Sequence, residues 1–375
     1  MRPGEKPNNC SEDRARVEVL DLLRMIAVLA VIAFHFGYRG PATFTGAGVA
    51  LPDIANLAKY GYLGVQLFFV ISGFVIAYSA EGRTSTAFAI ARVARIYPGF
   101  LFCMTATFLA TLAFGAPRFD ATVSQWAANL LIAAPALYQP YMDSAYWTIV
   151  CEVIFYAWVY LLIASGLFRR RIDVVVLIWL ALSLLNETAL QSHAVRKLFL
   201  TDQSAFFAAG LLLYEIFKGR RDAVLQCLFG LATAGAVLQG LANVQWLREH
   251  YMTAFDDWTV ATLCLISILV VTLAVRVRRL PLPPGVIVAI GGLTYPLYLL
   301  HQQVGYIALQ QLGGHVTPKG ILVVVIIAAL IAASWAVWRY IERPAQRLLK
   351  KALSQMARRI GLATEASKTL KLSHA

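Results

Sequence analysis

The sequence predicts an all-α protein, a polytopic membrane helical bundle of about ten transmembrane helices with both termini in the cytoplasm. Of its 375 residues, 59% are hydrophobic and only 14% are charged, and the mean hydropathy is +0.66. Soluble domains are about 45–50% apolar and about 25% charged. The apolar residues form uncharged runs close to the ~20 residues that a helix needs to cross a bilayer, and basic residues lie between the runs.

Ten of the apolar segments are predicted to cross the membrane. An eleventh, 124–140, is short and contains Pro135 and Pro140, so we expect a re-entrant or interfacial piece. If it crossed fully, the basic clusters at 169–171, 218–221 and 276–279 would all move outside, against the positive-inside rule. The predicted crossings are 19–38, 60–80, 98–116, 145–168, 172–190, 203–217, 222–242, 255–275, 286–312 and 321–341.

The segments form a single membrane domain. Residues 1–18 are predicted to be a cytoplasmic N-terminal segment, 19–347 the transmembrane domain, and 348–375 a basic cytoplasmic tail. Apolar residues at helical spacing in the tail predict a surface helix on the acidic inner leaflet. The first apolar run contains Arg24 and His35 and lacks a clear cleavage site, so we expect a retained span rather than a signal peptide. The expected location is the cell membrane, in a bacterium the inner membrane.

Charge and cysteine patterns exclude other classes. The net charge of +13 is explained by topology, and no basic stripe with interleaved aromatic residues indicates nucleic-acid binding. No CxxC pair occurs, so the sequence predicts neither a metal site nor a disulfide framework. The oligomeric state cannot be read from the sequence. The cysteines are Cys10, Cys103, Cys151, Cys227 and Cys264.

Ionisable residues inside predicted spans are costly and therefore candidates for function. Arg24 and His35 stand in the first span, separated by a rise of about 16 Å at 1.5 Å per residue and lying within ~20° of one helix face. One face then presents a cation near the cytoplasmic end and an imidazole deep in the membrane. A helix-end arginine that reaches lipid phosphate, and a histidine satisfied by a neighbouring helix, are the structural alternative.

Further candidates lie in three later segments. Glu152 is placed at a depth comparable with His35, where a carboxylate would orient an imidazole; a helix-capping role is the alternative. Arg92 and Arg95 stand one helical turn apart before Pro98, an arrangement that suits an anionic phosphate-bearing ligand as well as ordinary cytoplasmic anchoring. His301, taken alone, is expected to be structural.

Several stretches together resemble the acyltransferase-3 family. Any one of these motifs is weakly specific, but they occur in the family's order over about 19–347. Departures are Leu22 and Met25 where the family usually has glycine, Gln66 where it has an acid, and Thr148-Ile149 where it has Ser-Leu. Loss of the acid at Gln66 would remove a possible partner for Arg24 or Arg92. The matching stretches are Leu20–Ala27 followed by His35, Gly64–Phe74, Arg92–Pro98, Trp147–Glu152, Thr294–His301 and Ile341–Pro344.

The resemblance implies transfer of an acyl group, commonly acetyl from acetyl-CoA, to a hydroxyl of a glycan, a lipid-linked sugar or a secondary metabolite, with no metal. In this hypothesis Arg24, Arg92 and Arg95 bind the acyl-CoA phosphates, and His35, oriented by Glu152, is the general base. Ser72 and tyrosines near Tyr295 are candidate oxyanion donors. An acyl-enzyme relay through His35 is equally compatible with the sequence.

Two rival classes share the same general features. A transporter or flippase for a lipid-linked saccharide would also have buried charge and no soluble domain, but it would need no acyl-CoA. A structural scaffold is disfavoured by Arg24, His35 and Glu152 inside the bilayer.

Overall fold

A computed structural model describes residues 18–43, 51–277, 280–316 and 318–362. Over these ranges the chain is helical, and no strand is present, which confirms the predicted all-α class. The predicted N-terminal segment 1–18 lies outside the described residues except for Glu18, and the tail is described only to residue 362. Cys10, Arg278 and Arg279 also lie outside them. The side of the membrane on which the termini lie stays a prediction.

In the described parts of the chain, short turns connect the α-helices, and three π-helical and three 3₁₀ segments lie between them or at their ends. The π-helical segments are His35–Arg39, Asn186–Leu190 and Val337–Glu342, and the 3₁₀ segments are Gly61–Leu63, Ala134–Leu137 and Ser144–Tyr146. In chain order the α-helices are α1 (Glu18–Phe34), α2 (Gly40–Thr43), α3 (Pro52–Ala58), α4 (Gly64–Ala80), α5 (Ser85–Phe114), α6 (Val123–Asn129), α7 (Trp147–Ala164), α8 (Leu167–Arg170), α9 (Ile172–Leu185), α10 (His193–Phe199), α11 (Ser204–Phe217), α12 (Ala223–Tyr251), α13 (Asp257–Ala274), α14 (Pro284–Leu300), α15 (Gln303–Leu312), α16 (Lys319–Ala336) and α17 (Arg343–Arg359).

Within the described ranges, 8 helical segments are long and apolar enough to cross a membrane, or 9 when the bent pair α14–α15 counts as one. The tenth predicted crossing is α11, which has 14 residues and is buried from Ser204 to Tyr214. The stretch 124–140 forms only α6 and a 3₁₀ turn. Neither is long enough to span the hydrocarbon, as expected of a piece that does not cross.

Helices α4 and α11 pack with their backbones in contact. A Cβ atom on Gly73 would lie 2.2 Å from the carbonyl oxygen of Phe207, and one on Gly210 would lie 2.2 Å from that of Val70. Glycine is therefore required at both positions of this crossing. Small residues allow membrane helices to approach in this way, because tight packing replaces the hydrophobic effect inside a bilayer.

Helix α5 begins earlier than the sequence suggested. The predicted span started at Pro98, but the helix runs from Ser85 to Phe114 with Pro98 inside it. Its first turn is capped by Thr84, whose side chain accepts a hydrogen bond from the backbone N–H of Ala87. Arg92 and Arg95 consequently lie on a continuous helix rather than in a loop before it.

Two irregular segments interrupt the membrane helices near one another. After α1 the backbone continues as the π-helical turn His35–Arg39. The predicted span 286–312 is broken at His301 and Gln302, where α14 and α15 meet at 66°. Irregular backbone inside a membrane domain is tolerated where protein or a cavity surrounds it, and π-helical turns occur frequently at functional sites.

Candidate active site

The arginine pocket is a cavity of about 280 Å³ enclosed by α1, α4, α5, α7 and α14. Arg24, Arg92, Arg95 and Glu152 are the charged residues that line it. The structure therefore brings together the three arginines that the sequence indicated, from two helices far apart in the chain. Positive side chains outnumber the carboxylate among the lining residues, which suits an anionic ligand.

Two of these arginines are held by carboxylates outside the lining. Arg24 lies 3.3 Å from Asp21, one turn earlier in α1. Arg95 donates to the fully buried Glu342, at the junction with α17, and its guanidinium lies 5.3 Å from the centre of the Tyr295 ring. Fixed in this way, their remaining N–H groups can face a ligand without loss of side-chain freedom on binding.

Arg92 has a different environment. Its guanidinium lies 5.9 Å from the ring centres of both Phe88 and Tyr156. Its Nε is buried without a hydrogen-bond partner. Because leaving a charged donor unpaired in a buried site is costly, this nitrogen marks a position at which an acceptor group of a ligand would be stabilised.

Glu152 belongs to the arginine pocket and does not contact His35. The Ser72 hydroxyl donates to Glu152 Oε1 at 2.7 Å, whereas the His35 imidazole has its contacts with Val31, Arg39 and His301. The expected orientation of His35 by Glu152 is therefore wrong. A similar depth in the membrane does not make two side chains neighbours, because their helices α1 and α7 are separated by α4.

The second cavity, the wide cavity, has a volume of about 1250 Å³. His35 and Arg39 lie on its wall, together with Gln66, Gln203 and Gln302. Arg24 and His35 thus open into different cavities, although the sequence places both on the first span. Gln66 also lies in the wide cavity, so its acid counterpart in the family would not reach Arg24 or Arg92 from this position.

The hydrogen bonds of the two histidines determine which ring nitrogens carry protons. His301 Nδ1 lies 2.7 Å from the carbonyl oxygen of Tyr298 and must donate to it. His301 Nε2 is then an acceptor, 3.0 Å from His35 Nδ1, which also lies 2.9 Å from the carbonyl of Val31. His35 Nδ1 accordingly carries the proton, and His35 Nε2 is left with a lone pair. Arg39 donates to that nitrogen at 3.3 Å.

The break between α14 and α15 is what places His301 against His35. Asp143, which precedes α7, accepts a hydrogen bond from the Gln303 N–H at 2.8 Å, at the first residue of α15. A carboxylate is stabilised at a helix N-terminus. Burial raises the pKa of Asp143 to about 6, and its hydrogen bonds from the Gln303 and Ala145 backbones oppose that rise.

The two cavities adjoin at Val65 and Tyr298, which line both of them. The Tyr298 hydroxyl donates to the carbonyl of Ala145 at 3.2 Å and accepts from Thr148 at 2.8 Å. Its ring centre lies 5.4 Å from that of His301. Tyr298 therefore stands between the arginine pocket and the two histidines.

Comparison with known proteins identifies the class of protein. A sequence model of the acyltransferase-3 family, described as an acyltransferase domain, matches residues 17–339. The chain belongs to this family. It is therefore a multi-pass membrane acyltransferase that transfers groups other than aminoacyl groups, which decides against a transporter or a scaffold.

Two relatives support this assignment. The acyltransferase MdmB of Streptomyces mycarofaciens is 27% identical over 378 residues, which covers 89% of this chain and 92% of that protein. The exopolysaccharide production protein ExoZ of Rhizobium meliloti (strain 1021) is 28% identical over 262 residues, covering 64% of this chain and 75% of that protein. No solved structure matches the chain significantly.

The proposed oxyanion donors of this acyltransferase have other partners. The Ser72 hydroxyl donates to Glu152, and the Tyr295 hydroxyl donates to the carbonyl of Ile96 at 3.2 Å. Donation to an oxyanion would require either hydroxyl to exchange its partner. Among the described residues, no group of three or more His, Cys, Asp or Glu side chains could hold a metal ion.

The sequence analysis missed three side chains of the site. Arg39 contacts His35 from the next turn, and a signal was present because Arg39 is a charge at the end of an apolar run. Glu342 lay within a family motif without being assigned to the arginines. Asp143 gave no signal, since a single carboxylate in a predicted outer loop is ordinary.

Proposed function

We propose that this acyltransferase moves an acyl group, in the first instance acetyl, from acyl-CoA to a hydroxyl of a cell-surface glycan, a lipid-linked sugar or a similar acceptor at the cell membrane. The proposal rests on one observation above the others. His35 lies on the wall of the wide cavity with its Nε2 accepting from Arg39, and that cavity adjoins the arginine pocket at Val65 and Tyr298. The name of ExoZ refers to exopolysaccharide production, which supports a carbohydrate-related acceptor.

The arginine pocket is the proposed donor site, entered from the cytoplasm. Its residues fit an anionic group, because Arg92 Nε is buried without a partner and Arg24 and Arg95 are held in place by Asp21 and Glu342. At about 280 Å³ the pocket is smaller than a whole acyl-CoA. We expect it to hold the phosphates nearest the acyl arm, with the nucleotide outside it.

The chemical step uses His35 as general base. The acceptor hydroxyl displaces Arg39 from His35 Nε2 and gives its proton to that nitrogen while its oxygen attacks the thioester carbonyl. The carbon–sulfur bond breaks, an ester forms, and the CoA sulfur takes the proton from His35. His301 keeps His35 Nδ1 protonated and so keeps Nε2 basic, and general-base catalysis typically contributes about 10²–10⁴-fold.

Arg39 is the proposed stabiliser of the developing negative charge. Its guanidinium already lies 3.3 Å from His35 Nε2, so once displaced it remains next to the reacting carbonyl. Donors that are fixed before reaction stabilise a transition state more than they stabilise the substrate. Glu152 has a supporting part in this scheme: it holds Ser72 and balances the charge of the arginines.

A relay through an acyl-imidazole on His35 is the alternative path for the same overall reaction. In that path Nε2 attacks the thioester first, and the acceptor hydroxyl then attacks the acyl-imidazole. The two paths differ in one measurable respect. Only the relay leaves hydroxylamine-sensitive label on the protein when labelled donor is supplied without acceptor.

The deciding experiment is transfer of label from [¹⁴C]acetyl-CoA in membranes that contain wild type or His35→Ala, with the glycan and lipid fraction of the source organism as acceptor. We expect incorporation by wild type and a loss of about 10²–10⁴-fold in the variant at equal expression. Absence of incorporation by wild type would refute an acetyl donor. Equal incorporation by the two would refute the role of His35.

A further inference from the structure

Three buried glutamines that line the wide cavity carry unpaired oxygen atoms. The side chains of Gln66, Gln203 and Gln302 belong to residues that are 3%, 2% and 4% exposed. All three line the cavity, and the Oε1 atom of each is buried without a hydrogen-bond partner. Buried polar atoms of this kind are rare in native structures, and each one requires an explanation.

These oxygen atoms can accept hydrogen bonds but cannot donate them. The Gln302 amide N–H donates to the Ser144 hydroxyl, and its Oε1 is without a hydrogen-bond partner. A matching ligand therefore presents several donors in a small volume. Neutral hydroxyl groups on a sugar ring meet that requirement.

A charged head group fits this end of the cavity less well. Glu187 and Arg196 also line it, but they bind each other, with Arg196 Nη2 lying 2.8 Å from Glu187 Oε2. Thr201 donates to the same carboxylate. Lys197 and Asp202, which also line the cavity, are of opposite charge, so Arg39 is the cation that no carboxylate of the lining balances. The buried unpaired atoms of the lining residues are the three amide oxygens and the Tyr62 hydroxyl.

The opposite part of the cavity is an apolar trough between α9 and α12. The two helices run in the same direction. Arg220 joins their first turns through Asp173 and Asp222, and the Thr201 region joins them farther along through Asn186 and Gln239. The leucines of α9 that precede Asn186 and those of α12 that precede Gln239 therefore lie on the same side of the cavity. The trough residues are Leu177, Leu180, Leu184, Leu231, Ala234 and Leu238.

The trough opens towards the hydrocarbon of the membrane. Leu184, Leu231 and Leu238 are 60%, 56% and 61% exposed, and all three lie on segments that are long and apolar enough to span the bilayer. One continuous cavity thus has a polar end beside His35 and an apolar side in contact with lipid. A wholly water-soluble polymer would leave the apolar side uncovered.

We infer that the acceptor is an amphiphilic glycoside, with its neutral sugar head against Gln66, Gln203 and Gln302 and its hydrocarbon chain in the trough between α9 and α12. The hydroxyl that receives the acyl group then belongs to the sugar head, beside His35. This inference rests on the proposed acyl transfer, and it selects a lipid-linked acceptor that enters sideways from the bilayer.

Binding is tested without donor. The probe is octyl β-D-glucoside with a photoactivatable diazirine at the end of its alkyl chain, added to protein in phosphatidylcholine nanodiscs. We expect cross-links on the trough residues of α9 and α12 that excess octyl glucoside removes. Octanol with the same diazirine is the control that lacks the sugar, and we expect its cross-links to be spread over the lipid-facing helices.

Two pairs of variants make the test specific. Ala234→Trp fills the trough and should abolish the competed cross-links, whereas Leu269→Trp, at an exposed position of α13 outside the cavity, should leave them unchanged. Gln66→Leu should weaken displacement by octyl glucoside about 3- to 10-fold, the effect of one lost hydrogen bond. Gln66→Glu retains acceptor oxygens and should weaken it less.

Two results would overturn the inference: cross-links that octyl glucoside does not displace, or equal labelling in Ala234→Trp and Leu269→Trp. If either occurs while wild type still transfers label from [¹⁴C]acetyl-CoA, the acceptor is of another class and the proposed reaction stands. If transfer itself fails with the full acceptor pool, the proposed reaction fails, whatever the glucoside shows.

Discussion

The arginine pocket and the wide cavity share Val65 and Tyr298 as lining residues, yet they offer opposite chemistry. In the pocket the unsatisfied atom is a donor, Arg92 Nε, whereas in the cavity three of the four unsatisfied atoms are acceptor oxygens of glutamines and the fourth is the Tyr62 hydroxyl. Their volumes are about 280 and 1250 Å³. Two substrates of different polarity can therefore be recognised separately and still meet at one residue, Tyr298.

The difference also separates the roles of ionisable groups. Carboxylates in the pocket hold arginines, as Glu342 holds Arg95. In the cavity a second imidazole, His301, holds His35. Substitutions in one region should consequently change donor binding, and substitutions in the other should change catalysis or acceptor binding.

The largest effect after loss of His35 itself is expected at His301, as a positioning residue. His301→Ala removes one of the two acceptors for His35 Nδ1–H and should lower kcat by about 10- to 100-fold, as loss of groups that orient a functional histidine does. KM for the donor should be unchanged. His301→Gln, which can still accept the hydrogen bond, should recover part of the rate and the wild-type pH profile. A pH profile of His301→Ala that matches the wild-type profile would contradict this role.

Substitutions in the arginine pocket should change KM for the donor. Arg92→Ala removes the guanidinium with the unpaired Nε and should raise KM for acetyl-CoA by about 10- to 100-fold, which corresponds to the loss of a charged hydrogen bond. KM for the acceptor should remain constant. Arg171→Ala, a change at an exposed arginine outside the pocket, is the matched control. An equal rise in both variants would indicate a general surface-charge effect.

Substitution of Tyr298 should remove the separation between the arginine pocket and the wide cavity. Tyr298→Ala should let water reach the thioester and increase hydrolysis of acetyl-CoA relative to transfer by about 3- to 10-fold, because exclusion of water suppresses side reactions. Tyr298→Phe keeps the ring and should retain the wild-type ratio. The measurement is free CoA released against label transferred, and an unchanged ratio in both variants would show that Tyr298 does not separate the cavities.

The smallest expected effect concerns pH and stability. Burial raises the pKa of Asp143 to about 6 in the folded protein, above its unfolded value of about 3.9. Its contribution to stability is therefore fully present below about pH 4 and is lost as the pH rises through about 6. Asp143→Asn should show a flatter dependence of Tm on pH over this interval, measured by intrinsic fluorescence. Curves of Tm against pH that are parallel for wild type and Asp143→Asn would contradict this contribution of Asp143.

Much of this architecture was predictable because its causes are local. Apolar runs and basic clusters specify membrane segments, and the spacing of Arg92 and Arg95 places both on one helix face. Residues 124–140 were correctly separated from the crossings by the same charge pattern. The family resemblance, carried by short motifs, is confirmed by the match over residues 17–339.

The partners of His35 were not predictable because they depend on packing between distant segments. His301 stands 266 positions later in the chain, and it reaches His35 only where the helix is broken at 66°. The π-helical turn that begins at His35 also departs from the regular angle per residue used to compare it with Arg24. The depth of Glu152 in the membrane was predictable, but its hydrogen-bond partner Ser72 was not.

Helix α11 has a consequence for how the protein sits in its bilayer. Its 14 residues extend about 21 Å at 1.5 Å per residue, against a hydrocarbon thickness of about 30 Å. Because neighbouring helices enclose it from Ser204 to Tyr214, protein rather than lipid surrounds the short helix and accommodates this shortfall. Enzyme turnover should accordingly depend little on the acyl-chain length of the surrounding lipids.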